Sequence, residues 1–259
     1  MRRRPTWRLP HDGRRDPTPA QEGRKIMKRT RQTAGLLGMA LGALWSVPAQ
    51  GGVALTGLEA SRDNRSAYLG VVLPLSGQSL GQGFVQRYWL DYTGYQYEKQ
   101  PFQTIQVDVA AVEAALGYQH SSAGSWWAAY LGAHYSDTHL SPADPDNTNQ
   151  GKQLRAKLQF EGETDLAAGW RVNGIVSHLV GDFNYWTRLR VQTTLANRLH
   201  VGPELVVQGD AYYDAYKLGL FVGNIPLGRH SAFTLKGGIS QTLKETASLY
   251  LGTEFYIPF

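Results

Sequence analysis

The chain has 259 residues and a formal net charge of +5, and this length allows one large β domain or two smaller domains. The positive charge is concentrated at the start, because residues 1–49 contain 11 Lys and Arg against 3 Asp and Glu, whereas residues 50–259 contain 15 against 18. The mildly acidic main part lacks the basic surface of a nucleic-acid-binding protein. The absence of cysteine excludes disulfides and thiolate metal sites, and it suits a protein of the oxidising cell envelope.

The basic start is predicted to be a leader that takes no part in the fold. From Met27, the sequence MKRTRQTAGLLGMALGALWSVPAQ has a positive stretch, a short apolar run and small residues up to Ala49. This order is typical of a secretory signal peptide, residues 27–49, with cleavage after Ala49 and export to the periplasm. Residues 1–26 are interpreted as a mis-called upstream start, with a disordered basic tail as the alternative. Residues 50–259 are therefore predicted to form the mature protein.

The mature part is predicted to be a series of short strands. Apolar and polar residues alternate in segments separated by Gly, Asn, Asp or Ser, and such alternation is typical of strands with one apolar and one polar face. For example, Leu154 and Leu158 alternate with Arg155 and Lys157. About twelve segments are predicted, at residues 52–61, 65–75, 83–97, 103–119, 125–136, 153–163, 169–180, 183–195, 199–211, 215–225, 231–242 and 247–259.

Two irregularities are expected in this series. The alternation shifts around residues 109–113, which predicts a β-bulge in the fourth segment. The longest connection, residues 137–153, follows the fifth segment. With an even number of strands, this connection lies on the side opposite both chain ends, where outer-membrane barrels have their long extracellular loops.

Three features favour a membrane barrel over a soluble β-sandwich. Aromatic residues are 11% of the chain and lie near segment ends, as in the aromatic belts of membrane proteins. One face of the clearest strands is densely charged, which fits a polar lumen. The chain ends on LYLGTEFYIPF, and Phe259 resembles the terminal signal that barrel assembly machinery reads. The predicted belt residues are Tyr88, Tyr92, Tyr95, Tyr97, Trp126, Trp127, Trp170, Tyr185, Tyr212 and Tyr213. We therefore predict an all-β, transmembrane, antiparallel up-and-down barrel of about twelve strands.

Three longer segments, together with the aromatic end, resemble one known family. They are AYLGVVLPLSGQSLGQGFVQRYW at 67–89, LSPADPDNTNQGKQLRAKLQFE at 140–161 and VGPELVVQGDAYYDAYKLGLFVGNIPLG at 201–228. In this order they are similar to the cellulose biosynthesis protein BcsS of alphaproteobacterial cellulose operons. The resemblance implies an outer-membrane β-barrel associated with cellulose production or secretion. It implies no functional residues, because none of the segments is a catalytic motif.

The sequence offers few candidates for catalysis. Ser177 and His178 are neighbours, as are His120 and Ser121. Adjacent strand residues point to opposite faces, whereas a nucleophile and its base must share a face and a hydrogen bond. The segment LGQGF at residues 80–84 lacks the third glycine of a phosphate-binding loop. No catalytic residue and no cofactor are therefore predicted.

The long connection contains oxygen-bearing side chains that could bind calcium. These are Asp144, Asp146, Asn147 and Asn149. The loop lacks the glycine at the sixth place and the closing glutamate of the known calcium loop. Turn formation is the favoured interpretation, with Pro142 and Pro145 setting the bends, and no metal is predicted.

The candidate site residues are polar and aromatic side chains on the predicted inner face. Opposite charges on neighbouring strands typically pair, and they then stiffen or plug a narrow barrel. Trp89 and Trp186 are candidate stacking platforms for a neutral sugar chain, with an aromatic girdle as the alternative. The predicted lumen positions are Trp89, Arg155, Lys157, Glu161, Glu163, Trp186, Arg188, Arg190, Glu204 and Asp210, and Phe259 is the predicted assembly signal.

The sequence therefore predicts a non-catalytic, integral outer-membrane protein that assists cellulose biosynthesis or secretion. Its expected partners are outer-membrane lipid, the barrel assembly machinery, and either cellulose synthase and export components or the glucan chain itself. Nucleic acid is not an expected partner. Two alternative functions are a lipid-modifying barrel enzyme and a general diffusion pore.

Overall fold

A computed structural model describes most of the predicted mature part of the chain. The described residues are 51–99, 103–167, 169–181, 183–195, 198–242 and 246–259. The predicted signal peptide and the residues before it lie outside this set. No helix among the described residues is long and apolar enough to cross a membrane.

Twelve strands form the fold, as the sequence predicts. They are β1 (Val53–Ser61), β2 (Asn64–Pro74), β3 (Gln82–Lys99), β4 (Gln103–Ser122), β5 (Ser125–Ser141), β6 (Gly151–Asp165), β7 (Trp170–Leu179), β8 (Asn184–Thr194), β9 (His200–Gly209), β10 (Asp214–Leu227), β11 (Ser231–Thr242) and β12 (Ser248–Pro258). Each strand pairs antiparallel with its neighbours in the chain, and β1 pairs with β12. The sheet is thus a closed up-and-down barrel, which confirms the predicted fold class.

The two ends of the barrel differ. Both Gly52 and Phe259 lie at one end, here called the proximal end, because β1 begins there and β12 finishes there. The other end is called the distal end. β3, β4 and β5 have 18, 20 and 17 residues, whereas β7 to β9 have 10, 11 and 10. Because a strand rises about 3.3 Å per residue, one side of the barrel extends well beyond the other.

Two local expectations from the sequence are wrong. β4 pairs with β3 and β5 in unbroken register through residues 109–113, so it has no bulge. The irregularity lies in β10, between Val222 and Ile225, where Asn224 has a positive φ of 55°. The connection after β5 is shorter than residues 137–153, because β5 continues to Ser141 and β6 begins at Gly151. The remaining residues of the expected connection belong to β5 and β6.

Side chains alternate strictly between an apolar outer face and a polar interior. Outward-facing Leu154, Leu158 and Phe160 of β6 are 72%, 47% and 55% exposed, whereas the inward-facing residues between them are partly buried. The same pattern holds for Leu218 and Leu220 of β10, which are 65% and 68% exposed. A continuous belt of exposed apolar side chains is the surface that a lipid bilayer requires of a transmembrane barrel.

The predicted aromatic belt is only half correct. Tyr88, Trp127 and Trp170 face outward and are 49%, 37% and 44% exposed. Tyr95 and Tyr97 instead lie on the inward-facing side of β3, where they pack with a buried apolar cluster. Proximity to a strand end therefore identifies aromatic residues at the barrel rims, but it does not distinguish those that meet lipid from those that close the mouth.

The chain terminus is fixed by pairing at the proximal end. The Phe259 N–H donates to the Gly52 carbonyl (2.9 Å), and the Gly52 N–H donates to the Phe259 carbonyl (2.8 Å). A Cβ at Gly52 would lie 2.7 Å from the Phe259 ring and 2.6 Å from Leu73, so a side chain there would force these two side chains to move. Leu249 and Leu251 of the same strand are outward and 77% and 73% exposed. The apolar ending is therefore a lipid-facing closing strand.

The alternation of β6 generates a test of the lipid face. Leu158→Arg places a charge on the outward surface, and we expect a loss of about 2–4 kcal/mol in barrel stability if the site is at the midplane. Gln159→Arg is the matched control, since Gln159 faces inward and donates to Glu161 (2.8 Å). Heat-modifiable migration on mild-detergent gels measures the folded fraction. Equal losses in both variants would contradict the assignment of faces.

Candidate functional site

A dense group of charges lines the lumen on the wall formed by β8 to β12 and β1. The large ion cluster consists of Glu59, Arg188, Arg190, Glu204, Lys217, Lys236 and Glu254. Glu254 is its centre, because Arg188, Arg190 and Lys236 approach its carboxylate to 3.2, 3.0 and 3.1 Å. Lys236 lies on β11, the sheet neighbour of β12, whereas Arg188 and Arg190 lie on β8, four strands away, and reach across part of the lumen. The cluster therefore ties strands that are not sheet neighbours.

The rest of the large ion cluster is equally well paired. The Arg190 Nε–H donates to Glu204 (2.6 Å), and its guanidinium lies 4.5 Å from the centre of the Phe221 ring. Lys236 also contacts Glu59 of β1 (2.7 Å), which Lys217 of β10 contacts as well. Glu204 is fully buried and Lys217 is 2% exposed. Buried charges of this kind are tolerated only when they are paired and hydrogen-bonded.

A second group of charges lies on the opposite wall. The small ion cluster consists of Arg87, Asp91, Glu113, His134 and Lys157, from β3 to β6. Its centre is Glu113, which accepts from Lys157 (2.7 Å) and lies 3.4 Å from Arg87. The Arg87 guanidinium also lies 4.2 Å from the centre of the Trp89 ring. Together the two clusters contain six Lys and Arg side chains and five carboxylates, so their charges nearly cancel.

Aromatic side chains lie between the two ion clusters. Tyr68 of β2 and Trp89 of β3 are stacked, with ring centres 5.0 Å apart and planes inclined by 13°. Both rings lean over glycines of the neighbouring strand, since a Cβ at Gly70 would be 1.9 Å from Trp89 and one at Gly57 would be 2.5 Å from Tyr68. The absence of a side chain at these glycines lets the rings lie close to the wall. The centre of the lumen is thereby left open.

Trp186 lies on the facing wall. It belongs to β8, which is six strands from β2 in the ring of twelve and therefore opposite to it. Its backbone carbonyl accepts from Ser177, and its ring lines the same central space as Tyr68 and Trp89. Among the aromatic pairs of the described chain, Trp186 takes part in none. A ligand in the cavity would therefore not have to displace an aromatic partner of Trp186.

The central space is a cavity of about 590 Å³. This volume falls in the range of small-ligand sites, about 300–1,000 Å³. Three buried polar atoms on its lining have no hydrogen-bond partner within the described residues: Asp91 Oδ2, His134 Nδ1 and Arg188 Nε. Arg87 Nε also makes no hydrogen bond there, but it lies 3.4 Å from the Glu113 carboxylate. Buried polar groups are nearly always paired, so these atoms call for water or a ligand.

The distal mouth of the lumen is covered by a tyrosine lid, defined as Tyr95, Tyr97, loop 142–150 and turn 210–213. The Tyr95 hydroxyl donates to Asp210 (3.0 Å), and its ring centre is 4.5 Å from that of Tyr213. These contacts join β3 to the turn between β9 and β10, on opposite sides of the barrel. The Thr148 N–H donates to the Tyr212 hydroxyl (3.0 Å), so the loop and the turn meet above the lumen.

Two acidic residues of the lid differ in their surroundings. Burial raises the pKa of Asp210, although this carboxylate accepts the N–H groups of Tyr212 and Tyr213. Hydrogen bonding to Lys99 lowers the pKa of Asp144, which also accepts from Tyr97 (2.6 Å). Lys99 is therefore the cation that holds loop 142–150 onto β3.

The loop oxygens considered for calcium are used within the protein. Lys99 contacts both Asp144 and Asp146, the latter at 2.7 Å. The Asp144 and Asn147 side chains also accept backbone N–H groups two residues on, from Asp146 (3.2 Å) and Asn149 (2.9 Å), as in Asx turns. No group of three or more metal-binding side chains occurs in the part of the chain that the structure describes.

The structure places nine of the ten predicted lumen residues on inward-facing strand positions. Glu161 accepts from Tyr130 (3.2 Å) and Gln159, and Glu163 accepts from Arg171 (3.3 Å) and Gln192 (2.9 Å). Arg155 donates to Asn149 at 3.4 Å, near the lid. Asp210 is the exception, because it lies in the turn after β9 and belongs to the lid. The inward-facing residues are Trp89, Arg155, Lys157, Glu161, Glu163, Trp186, Arg188, Arg190 and Glu204.

Several central residues were missed by sequence reasoning. These residues lie in strands whose most conspicuous sequence feature is the apolar outer face. They are Glu59, Glu113, Lys217, Lys236 and Glu254. Strict alternation within these strands was the available signal, since each residue is flanked by outward-facing neighbours. Their grouping around Glu254 follows from the register of non-neighbouring strands, which no local pattern encodes.

The two Ser and His pairs are separated by the strand alternation. Ser177 faces inward and donates to the Trp186 carbonyl (3.4 Å), whereas the His178 ring lies on the outer side and contacts the Asn184 carbonyl (3.0 Å). His120 packs against the outward-facing Trp127, at 6.0 Å between ring centres. In neither pair do the serine and the histidine lie on the same face of the strand.

Residues 53–259 match the family described as cellulose biosynthesis protein BcsS. The chain belongs to this family. The match covers all twelve strands, from the first residue of β1 to the last residue of the chain. The family resemblance stated from the sequence is thereby confirmed. No curated protein matches the chain.

Solved barrels provide a further comparison. The KdgM porin has 8% sequence identity and a TM-score of 0.46, covering 80% of this chain and 99% of that one. The beta domain of the Bordetella autotransporter BrkA has 15% identity and a TM-score of 0.48, covering 82% and 100%. The translocator domain of the autotransporter NalP from Neisseria meningitidis has 9% sequence identity and a TM-score of 0.46, and the match covers 90% of this chain and 98% of that one. These values are low, and the fold assignment of the BcsS-family barrel rests on its own strand pairing.

The central position of Glu254 generates a stability prediction. Glu254→Ala leaves Arg188, Arg190 and Lys236 without their shared partner, and we expect a loss of about 3–5 kcal/mol in unfolding free energy. Arg62→Ala is the control, because the Arg62 side chain is 76% exposed and its pair with Asp63 is worth less than about 1 kcal/mol. Urea unfolding in lipid vesicles measures both values. A Glu254→Ala barrel as stable as the Arg62→Ala barrel would contradict the role of the cluster.

The lid generates a prediction about ion flow. Lys99→Ala removes the contacts to Asp144 and Asp146, so we expect a severalfold higher conductance in planar bilayers than that of the unmodified barrel. Because the pKa of Asp144 is lowered, its contact is complete at neutral pH and is lost as the pH falls through that lowered value. Strong acidification should therefore act in the same direction. Lys152→Ala, on the outer face of β6, is the control. Unchanged current in Lys99→Ala would argue against a lid.

Proposed function

We propose that the protein is an integral outer-membrane barrel that assists the secretion or anchoring of cellulose without catalysing a reaction. The observation that carries this proposal is a polar and aromatic cavity inside a lipid-facing barrel that belongs to a cellulose biosynthesis family. A sugar polymer needs hydroxyl-binding side chains and aromatic surfaces, and the lumen offers both. The near-cancellation of charge in the two ion clusters suits a neutral polymer better than a charged one.

The proposed orientation follows from the two ends of the barrel. The proximal end, with both chain termini, faces the periplasm, and the distal end with loop 142–150 faces the outside. Export before assembly requires the predicted signal peptide. Phe259, at the end of the closing strand, is the residue that the barrel assembly machinery would read. Cellulose synthase or export components would then meet the proximal end.

Two observations favour this function over the alternatives. Side chains of the large ion cluster cross part of the lumen, and the tyrosine lid covers its distal mouth, which argues against a wide diffusion pore. The Ser and His pairs of the sequence do not share a face, which argues against a lipid-modifying hydrolase built on them. A supporting role in cellulose export remains as the best explanation.

Deletion of the gene tests the proposed function. We expect the loss of most extracellular cellulose, recovery of the protein in outer-membrane fractions, and unchanged phospholipid and lipid A profiles. Complementation with the unmodified chain should restore cellulose, which provides the control for effects on neighbouring genes. An altered lipid profile with normal cellulose would support the enzyme alternative and contradict the proposal.

A further inference from the structure

The interior of the barrel has the composition of a carbohydrate site. Trp186 projects from β8 into the central cavity, and the stacked Tyr68 and Trp89 project from the opposite wall. Aromatic side chains on opposite walls of a cavity of ligand size offer surfaces on which the apolar faces of sugar rings can pack. The Trp186 ring has no aromatic partner within the described strands, so a ligand would meet it directly.

The polar atoms of the same cavity complement sugar hydroxyls. His134 is 7% exposed, and its Nδ1 has no hydrogen-bond partner among the described residues. Asp91 Oδ2 and Arg188 Nε, on the two walls, are in the same situation. A hydroxyl group both donates and accepts, so a polyhydroxylated ligand can satisfy an acceptor such as Asp91 and a donor such as Arg188.

The charge of the lumen selects against ionic ligands. Glu113 and Glu254 are each held by two or three cations, and the cations are in turn held by carboxylates. An anionic polymer would have to break these buried pairs to gain contacts, and breaking a buried pair is costly. A neutral chain can bind to the remaining polar atoms while every ion pair stays intact.

We propose that the lumen contains a binding site for an extended neutral glucan chain, positioned between Trp186 and the Tyr68–Trp89 pair and hydrogen-bonded by Asp91, His134 and Arg188. This inference rests on the proposed function for the identity of the sugar. The lining of the cavity extends from Tyr256 near the proximal end to Tyr213 in the lid, so a chain would lie along the barrel axis. With the tyrosine lid closed, the site would hold the end of a glucan chain before the chain leaves the barrel at the distal end.

Calorimetry on the full mature barrel in detergent tests the site, with cellohexaose as the probe. We expect cellohexaose to bind, maltohexaose to bind more weakly because its chain is curved, and hexagalacturonate not to bind because it is charged. Trp186→Ala should weaken cellohexaose binding by about tenfold, which is the typical worth of one aromatic contact. Trp127→Ala is the matched control, because Trp127 faces lipid and is 37% exposed.

Two further variants keep the test decisive if Trp186→Ala does not fold. Trp186→Phe should retain most of the binding, and Asp91→Asn should lose part of it, with both barrels still heat-modifiable. Absence of cellohexaose binding to the unmodified barrel, equal binding of hexagalacturonate, or full binding by both Trp186→Ala and Asp91→Asn would overturn the site. If one of these results is obtained while gene deletion still abolishes extracellular cellulose, the binding site is wrong but the proposed function is retained. Normal cellulose after deletion would overturn the function instead.

Discussion

The pairing of β1 with β12 is the constraint on which the rest of the structure depends. A strand in lipid has no water to bond to, so every backbone N–H and C=O must find a partner in the sheet, and only a closed sheet provides this. Closure from Val53↔Pro258 to Ser61↔Tyr250 gives each strand one lipid face and one inner face. It also brings Glu59 of β1 beside Lys236 of β11, so the large ion cluster extends across the seam.

The interior of the barrel combines a polar surface with buried charges that are paired. A polar lumen must offer groups that hydrogen-bond to water and sugars, and many of the groups in this lumen are charged, although charges near the low-dielectric wall are costly unless paired. The two ion clusters meet this need by occupying opposite walls, with Glu254 and Glu113 as their centres. The central cavity lies between the two clusters. The aromatic residues and the unpaired polar atoms therefore remain facing the central cavity.

The sequence predicted the strands and their faces well, because both depend on local alternation. The lumen positions of Arg188 and Arg190 follow from the same rule, since Leu189 between them had to face lipid. The centre of the large ion cluster at Glu254 could not be predicted, because it depends on Arg188 and Arg190 of β8 reaching β12, which is not a sheet neighbour of β8. The expected bulge in β4 was wrong for a related reason. Small inward residues such as Ala111 and Ala115 weaken the apparent alternation without disturbing the backbone register.

The glycines beneath the lumen aromatics link positions that are distant in sequence. Gly70 and Trp89 are directly paired across β2 and β3, and the ring occupies the volume that a side chain at position 70 would need. Any residue larger than glycine there would push the indole towards the axis and narrow the passage. We therefore expect the two positions to change together in evolution, so that a relative with a bulkier residue at 70 should have a smaller one at 89. The bore of these barrels would then be adjusted by exchanging pairs of residues while the number of strands stays constant.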